Sequence, residues 1–165
     1  LFRSGGLIEC IIEGMPAGVG EPVFDKLDAS LAKAVMSIGA VKGVEIGDGF
    51  SVTSSKGSIN NDSFISENGQ VLKQTNHSGG ILGGISDGSS IILRAAIKPT
   101  PSISQPQKTV NTAGENIEIA ISGRHDPVIV PRAVVVVESM AAITLTDLLM
   151  QNMTSRIEHL KNIYL

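Results

Sequence analysis

Aromatic residues are scarce: they form 3% of the 165 residues, with four Phe, one Tyr and no Trp. Proteins that grip nucleic acid combine a basic face with stacking rings. Here 13 Lys and Arg face 16 Asp and Glu for a formal charge of −3, so a nucleic-acid partner is set aside. Cysteine is almost absent as well. The single Cys10 rules out a disulfide framework and any cysteine-based metal site, and it fits a reducing compartment. Charged residues reach only 18%, below the roughly 25% of average soluble domains. No unbroken apolar run approaches the roughly 18 residues that mark a membrane span, the longest being near Ala133 to Val137, so no membrane partner is expected. No signal-peptide pattern opens the chain, and a cytoplasmic setting is the expectation. Because it begins at Leu1 and runs through Gly5-Gly6 straight into an apolar segment, the chain reads as one domain, residues 1–165, of a longer polypeptide.

What is present is aliphatic. Hydrophobic residues make up 42% and mean hydropathy is +0.21, enough to build a core. Leu7 to Ile12 reads as a short buried strand ending in the turn Gly14-Met15-Pro16. Pro22 suits a first helical position, and Phe24, Leu27, Leu31, Val35 and Ile38 then recur every three or four residues, which predicts a helix closed at Gly39. Ala40 to Ile46 and Ile91 to Ile97 read as strands, Val71 to Thr75 and Ile117 to Ile121 as shorter ones. Residues 51–69 are polar and are expected to form a long mobile loop, its stretch from Asn60 to Asn68 facing solvent. From Pro131 the spacing of Val134, Val137, Ala141, Leu145 and Leu148 predicts a largely buried helix to about Met153, with residues 154–165 as an amphipathic tail. Successive strands interrupted by two long helices indicate an α+β fold with helices packed on antiparallel sheet.

Most signatures of chemistry are missing. Gly18-Val19-Gly20 lacks the third glycine of a dinucleotide fingerprint, neither glycine cluster leads into Lys-Ser or Lys-Thr, and no two His stand four apart; no metal site is expected. Three clusters remain. Asn76 to Gly84 strings together unshielded backbone amides that could approach an anion or a flat ring, or simply form a turn. Lys98-Pro99-Thr100-Pro101-Ser102 couples a cation and two hydroxyls to a stiff backbone, as a binding wall or a rigid strand exit. Gly123-Arg124-His125-Asp126-Pro127 concentrates a fixed cation, an imidazole and a carboxylate between two apolar elements, as a site or a satisfied polar junction.

Five blocks together resemble one family. Gly20 to Ala29, Ala40 to Phe50, Asn76-His77-Ser78-Gly79-Gly80-Ile81-Leu82-Gly83-Gly84-Ile85-Ser86, Lys98 to Ile103 and Gly123 to Pro127 are similar to chorismate synthase, in its order and spacing. The resemblance runs from about Gly6 to Leu149 and concerns the C-terminal part of that family. It implies a β-α-β sandwich with helices packed between antiparallel sheets, and a homotetramer. It also implies the 1,4-elimination of phosphate from 5-enolpyruvylshikimate 3-phosphate to give chorismate, with reduced FMN as cofactor. By position, Asp126 would be the catalytic carboxylate beside the flavin N5, while Arg124 would pair with phosphate or substrate carboxylate against FMN. Gly39, Ala40, Gly83, Lys98, Pro99, Thr100, Pro101 and Ser102 would complete the cofactor pocket, and His125 would be a positioning group. Gly39 stands where the family often has Asn, and Val128 where it commonly has Cys. The family's catalytic histidines belong to its other half, so the isolated chain is expected to be inactive. A flavin- or phosphate-binding module, or an oligomerisation scaffold built on the helix from Ala133 to Met153, are the competing expectations.

Overall fold

A computed structural model describes residues 4–123 and 126–164. The elements are β1 (Gly6–Ile12), α1 (Leu27–Met36), β2 (Val41–Ile46), a 3-10 helix (Gly49–Ser54), α2 (Gly57–Asn60), β3 (Phe64–Glu67), β4 (Gln70–Lys73), β5 (Ile81–Leu82), β6 (Ile85–Ser86), β7 (Ile91–Ile97), β8 (Gln107–Val110), β9 (Asn116–Ile119), α3 (Val130–Asn152) and α4 (Ile157–Tyr164). An antiparallel sheet of order β1-β7-β2 forms the frame, and β3-β4, β5-β6 and β8-β9 are separate hairpins.

Alternation along β7 decides which side of the sheet is covered. Ile91, Leu93, Ala95 and Ile97 point to one face and are buried. Onto that face α1 lays Leu27, Leu31 and Val35, and α3 lays Val137, Ala141, Leu145 and Leu148. Each large side chain so buried contributes about 1.5–3 kcal/mol. The opposite face carries Leu7 and Ile11 in solvent. Down its middle Arg94 bonds Glu9 at 2.9 Å and lies 3.7 Å from Glu45.

Three expectations need correction. The first helix starts at Leu27, not near Pro22. The Glu21 N–H donates to the Asp25 carbonyl at 3.0 Å, closing a tight turn, and the Leu27 N–H goes to Gly84 O at 2.8 Å. Phe24, in phase with the helical face, is therefore 91% exposed.

Residues 51–69, read as a loop, hold the 3-10 helix, α2 and β3. The two-residue Asn68-Gly69 turn, with φ of 51° and 79°, closes the register Glu67↔Gln70 to Phe64↔Lys73. Asn-Gly between apolar pairs is the strongest short hairpin signal, because both residues tolerate positive φ.

The third correction concerns α3, which is not largely buried. Only Val137, Ala141, Leu145 and Leu148 are sequestered, while Val134, Val135, Ile143 and Met150 are 48–64% exposed. Apolar residues continue beyond the buried stripe, among polar ones such as Arg132, Ser139 and Asp147, and α1 and the sheet cover the helix on one side only. Although no unbroken apolar run suggested it, α3 is long and apolar enough by length and composition to cross a membrane. Here its buried stripe packs on α1 and β1.

Candidate functional site

Strand direction sorts the polar residues into two ends of the sheet. β1 and β2 start where β7 stops, and α3 starts at the same end. The Lys98 N–H donates to the Ala40 carbonyl at 2.9 Å, tying the chain after β7 to the Gly39-Ala40 turn before β2, where Ala40 adopts φ of 74°. Gly5 and Gly6 pack beneath. A Cβ at Gly5 would strike the Ile97 carbonyl and meet the Pro99 ring at 3.2 Å, and one at Gly6 would meet Val130 at 2.8 Å. This glycine pair is the joint between the proline wall and the start of α3.

Asp126 lies just ahead of α3, where Arg132 Nη1 reaches its Oδ2 at 2.6 Å. Arg124, expected beside that carboxylate, falls with His125 outside the described residues. Ile121 N–H donates to Ile103 O at 3.3 Å, which links the segment after Ser102 to the approach of Asp126. Lys98 and Pro99 are exposed, Thr100 and Ser102 half-buried. Among the described residues no acceptor within hydrogen-bond distance meets the Lys98 ammonium.

Gly39, Ala40, Lys98 to Ser102 and Asp126 therefore gather at one end of the sheet. Gly83 does not join them. It turns the β5-β6 hairpin, whose Gly84 carbonyl meets the first residue of α1. Ten residues of α1, roughly 15 Å of helix, separate it from Gly39.

The far end holds a cluster that reasoning from sequence passed over. Lys73 Nζ donates to Asp87 Oδ2 at 2.7 Å and to Ser78 Oγ at 2.8 Å, and lies 3.1 Å from Asp62 Oδ2. These three charged side chains are only 4–9% exposed. Asp62, expected on a solvent-facing loop, also accepts the His77 and Ser78 backbone N–H groups and the Thr75 hydroxyl. Burial alone would raise its pKa, but these hydrogen bonds overrule that and hold its carboxyl well below the usual range. Asp87 is likewise lowered: burial opposes, while Lys73 and the Ser89 N–H prevail. Gly47 and Gly79, with φ of 59° and 62°, cross so closely that a Cβ on Gly47 would sit 2.6 Å from Gly79 N. At this crossing His77 Nδ1 lies 2.6 Å from Asp48 Oδ2.

A family model described as chorismate synthase matches residues 3–150. The chain belongs to the chorismate synthase family. It is 69% identical over 165 residues to the chorismate synthase of Lachnoclostridium phytofermentans, covering 99% of this chain and 45% of that protein. The chorismate synthase of Agathobacter rectalis is 63% identical over 164 residues, with the same two coverages. That of Methanococcoides burtonii is 60% identical over 144 residues, 87% of this chain and 39% of that one. A solved structure, "Crystal Structure of Chorismate Synthase", superposes with a TM-score of 0.74 at 33% identity, over 92% of this chain and 39% of its own. The fold is thus the α+β fold of chorismate synthase, and the chain spans under half the length of these relatives.

Proposed function

We propose that this chain supplies one part of a chorismate synthase that eliminates phosphate from 5-enolpyruvylshikimate 3-phosphate, with reduced FMN as cofactor. One observation carries the reading. The Lys98-to-Ala40 hydrogen bond makes a single surface of two sequence blocks 58 residues apart, on the end of the sheet where Asp126 stands.

The donor set fits a flavin mononucleotide. Lys98 offers an ammonium to a phosphate or to the electron-rich ring, Thr100 and Ser102 offer hydroxyls, and Pro99 and Pro101 keep the wall rigid without backbone N–H groups of their own. Gly39 and Ala40 present backbone that can approach a flat ring closely. Arg124 completes the proposed set, and Gly83, a length of α1 away from this surface, is left out of it. When bound, reduced flavin supplies transient electron density to the substrate. Asp126 provides a carboxylate whose oxygen can hold or pass on the proton lost from carbon. Arg132 orients that carboxylate through its guanidinium.

The remaining catalytic groups lie in the part of the relatives that this chain does not span. The isolated 165-residue chain is accordingly proposed to be inactive, and the whole enzyme to work as a cytoplasmic homotetramer. Phosphate release from the substrate under reducing conditions with FMN tests this. The expected result is turnover by the intact protein and none by the chain alone; turnover by the chain alone overturns it.

A further inference from the structure

Beside Asp126 stands a surplus of hydrogen-bond donors. A guanidinium carries five N–H donors in a fixed fork, and one carboxylate takes at most two of them. Arg132 commits Nη1 to Asp126 Oδ2 at 2.6 Å. Among the described residues its side chain has no other partner, so at least three donors stay open. They are within reach of a guest, because the Arg132 side chain is 75% exposed. Along α3 Arg132 shares its direction with Ser139, Ile143 and Met150, all of them exposed. That is the side which neither α1 nor the sheet covers.

The proposed reaction calls for an anion at this spot. In the 1,4-elimination the C–H bond that breaks lies on the ring carbon next to the one bearing the carboxylate. Its electrons shift through the ring double bond, and phosphate leaves with the C–O pair from the far end of the array. A protein carboxylate that takes up the proton therefore works beside the ring carboxylate, across the ring from the phosphate. Two anions so placed repel each other. A guanidinium shared between them replaces that repulsion by two attractions, and its fork fixes the angle at which the ring presents the C–H bond.

We infer that Arg132 anchors the ring carboxylate of the substrate with the donors that Asp126 leaves open. The inference rests on the reading of the site given above, and adds to it the residue that sets the substrate against Asp126.

Calorimetric titration of the intact protein, saturated with oxidised FMN so that no turnover follows, tests it. The probes are 5-enolpyruvylshikimate 3-phosphate and its ring carboxamide, which keeps the phosphate and loses one charge. Arg132→Gln should weaken binding of the carboxylate probe about 10- to 100-fold, as for loss of a charged hydrogen-bonded pair. The carboxamide should stay within about twofold of its affinity for the parent, and Arg132→Lys should recover part of the loss. Equal weakening of both probes overturns the inference, since a merely structural ion pair, or a grip on the phosphate, acts on both alike. Parent-like binding of both probes by Arg132→Gln removes Arg132 alone and leaves the reading of the site standing. Failure of the parent to bind either probe overturns that reading, and this inference with it.

Discussion

At one end of the β1-β7-β2 sheet the charges are left open. Among the described residues the Lys98 ammonium has no partner within hydrogen-bond reach, and Asp126 has one ion-pair partner, whose side chain is 75% exposed. At the other end Lys73, Asp62 and Asp87 hold each other almost entirely out of water. Both ends are rich in charged and hydroxyl residues, and both match blocks of the same family. They differ in saturation. A buried charge that meets every partner stabilises a fold, whereas one left open to solvent keeps its capacity for a ligand. The clamp end ties the β3-β4 hairpin to the loops around Ser78 and Asp87, and the open end is the one proposed above to receive the cofactor.

Four perturbations should separate the two. The largest effect is expected from Asp126→Ala in the intact enzyme. The chemical rate should fall about 10²- to 10⁴-fold, as for loss of a positioned proton-transfer group. The melting temperature should stay nearly unchanged, because an exposed ion pair contributes about 0–1 kcal/mol. Stopped-flow turnover beside calorimetry reads both; a near-normal rate removes Asp126 from the chemistry.

Lys73→Met should do the reverse. It strands two buried carboxylates at a cost of about 3–5 kcal/mol, seen as a lower denaturation midpoint, while the folded fraction keeps its rate per active site. Acid tests the same cluster more gently. Asp62 and Asp87 have lowered folded pKa values, so the stability they contribute is present above the unfolded carboxylate value of about 3.9. It is lost as pH falls below that, through their folded values. Denaturant midpoints should therefore be insensitive to these two groups from neutrality to about pH 5 and drop below pH 4, and Asp62→Asn should flatten that drop. The smallest effect is expected from Gly69→Ala at φ of 79°, about 1–2 kcal/mol in the β3-β4 turn. It should show as faster amide exchange in that hairpin, with the open end undisturbed.

Much of the frame was legible because local rules and the final fold agree. β1, β2 and β7 are short aliphatic runs stopped by Gly or Pro, and Leu27, Leu31 and Val35 sit at helical spacing on a face that does become buried. The Asn68-Gly69 hairpin was equally local, but its apolar pairs are embedded in polar sequence and were read by composition. Other features could not be read locally. Asp62 meets His77 and Ser78 only after the chain has travelled 15 and 16 residues, and Arg132 finds Asp126 across the start of a helix. The exposure of α3 depends on what lies beside it in space. At the site, the blocks themselves were visible, yet only the antiparallel pairing of β2 with β7 shows that Ala40 and Lys98 share one surface while Gly83 lies at the other.

The position of one carboxyl group decides the account most directly. In a crystal structure of the intact protein with FMN and substrate, the Asp126 carboxyl should lie within hydrogen-bond distance, about 3 Å, of the isoalloxazine N5, with the Lys98 wall against the same cofactor. A flavin bound elsewhere, with Asp126 still closed on Arg132 and remote from the ring, would contradict it.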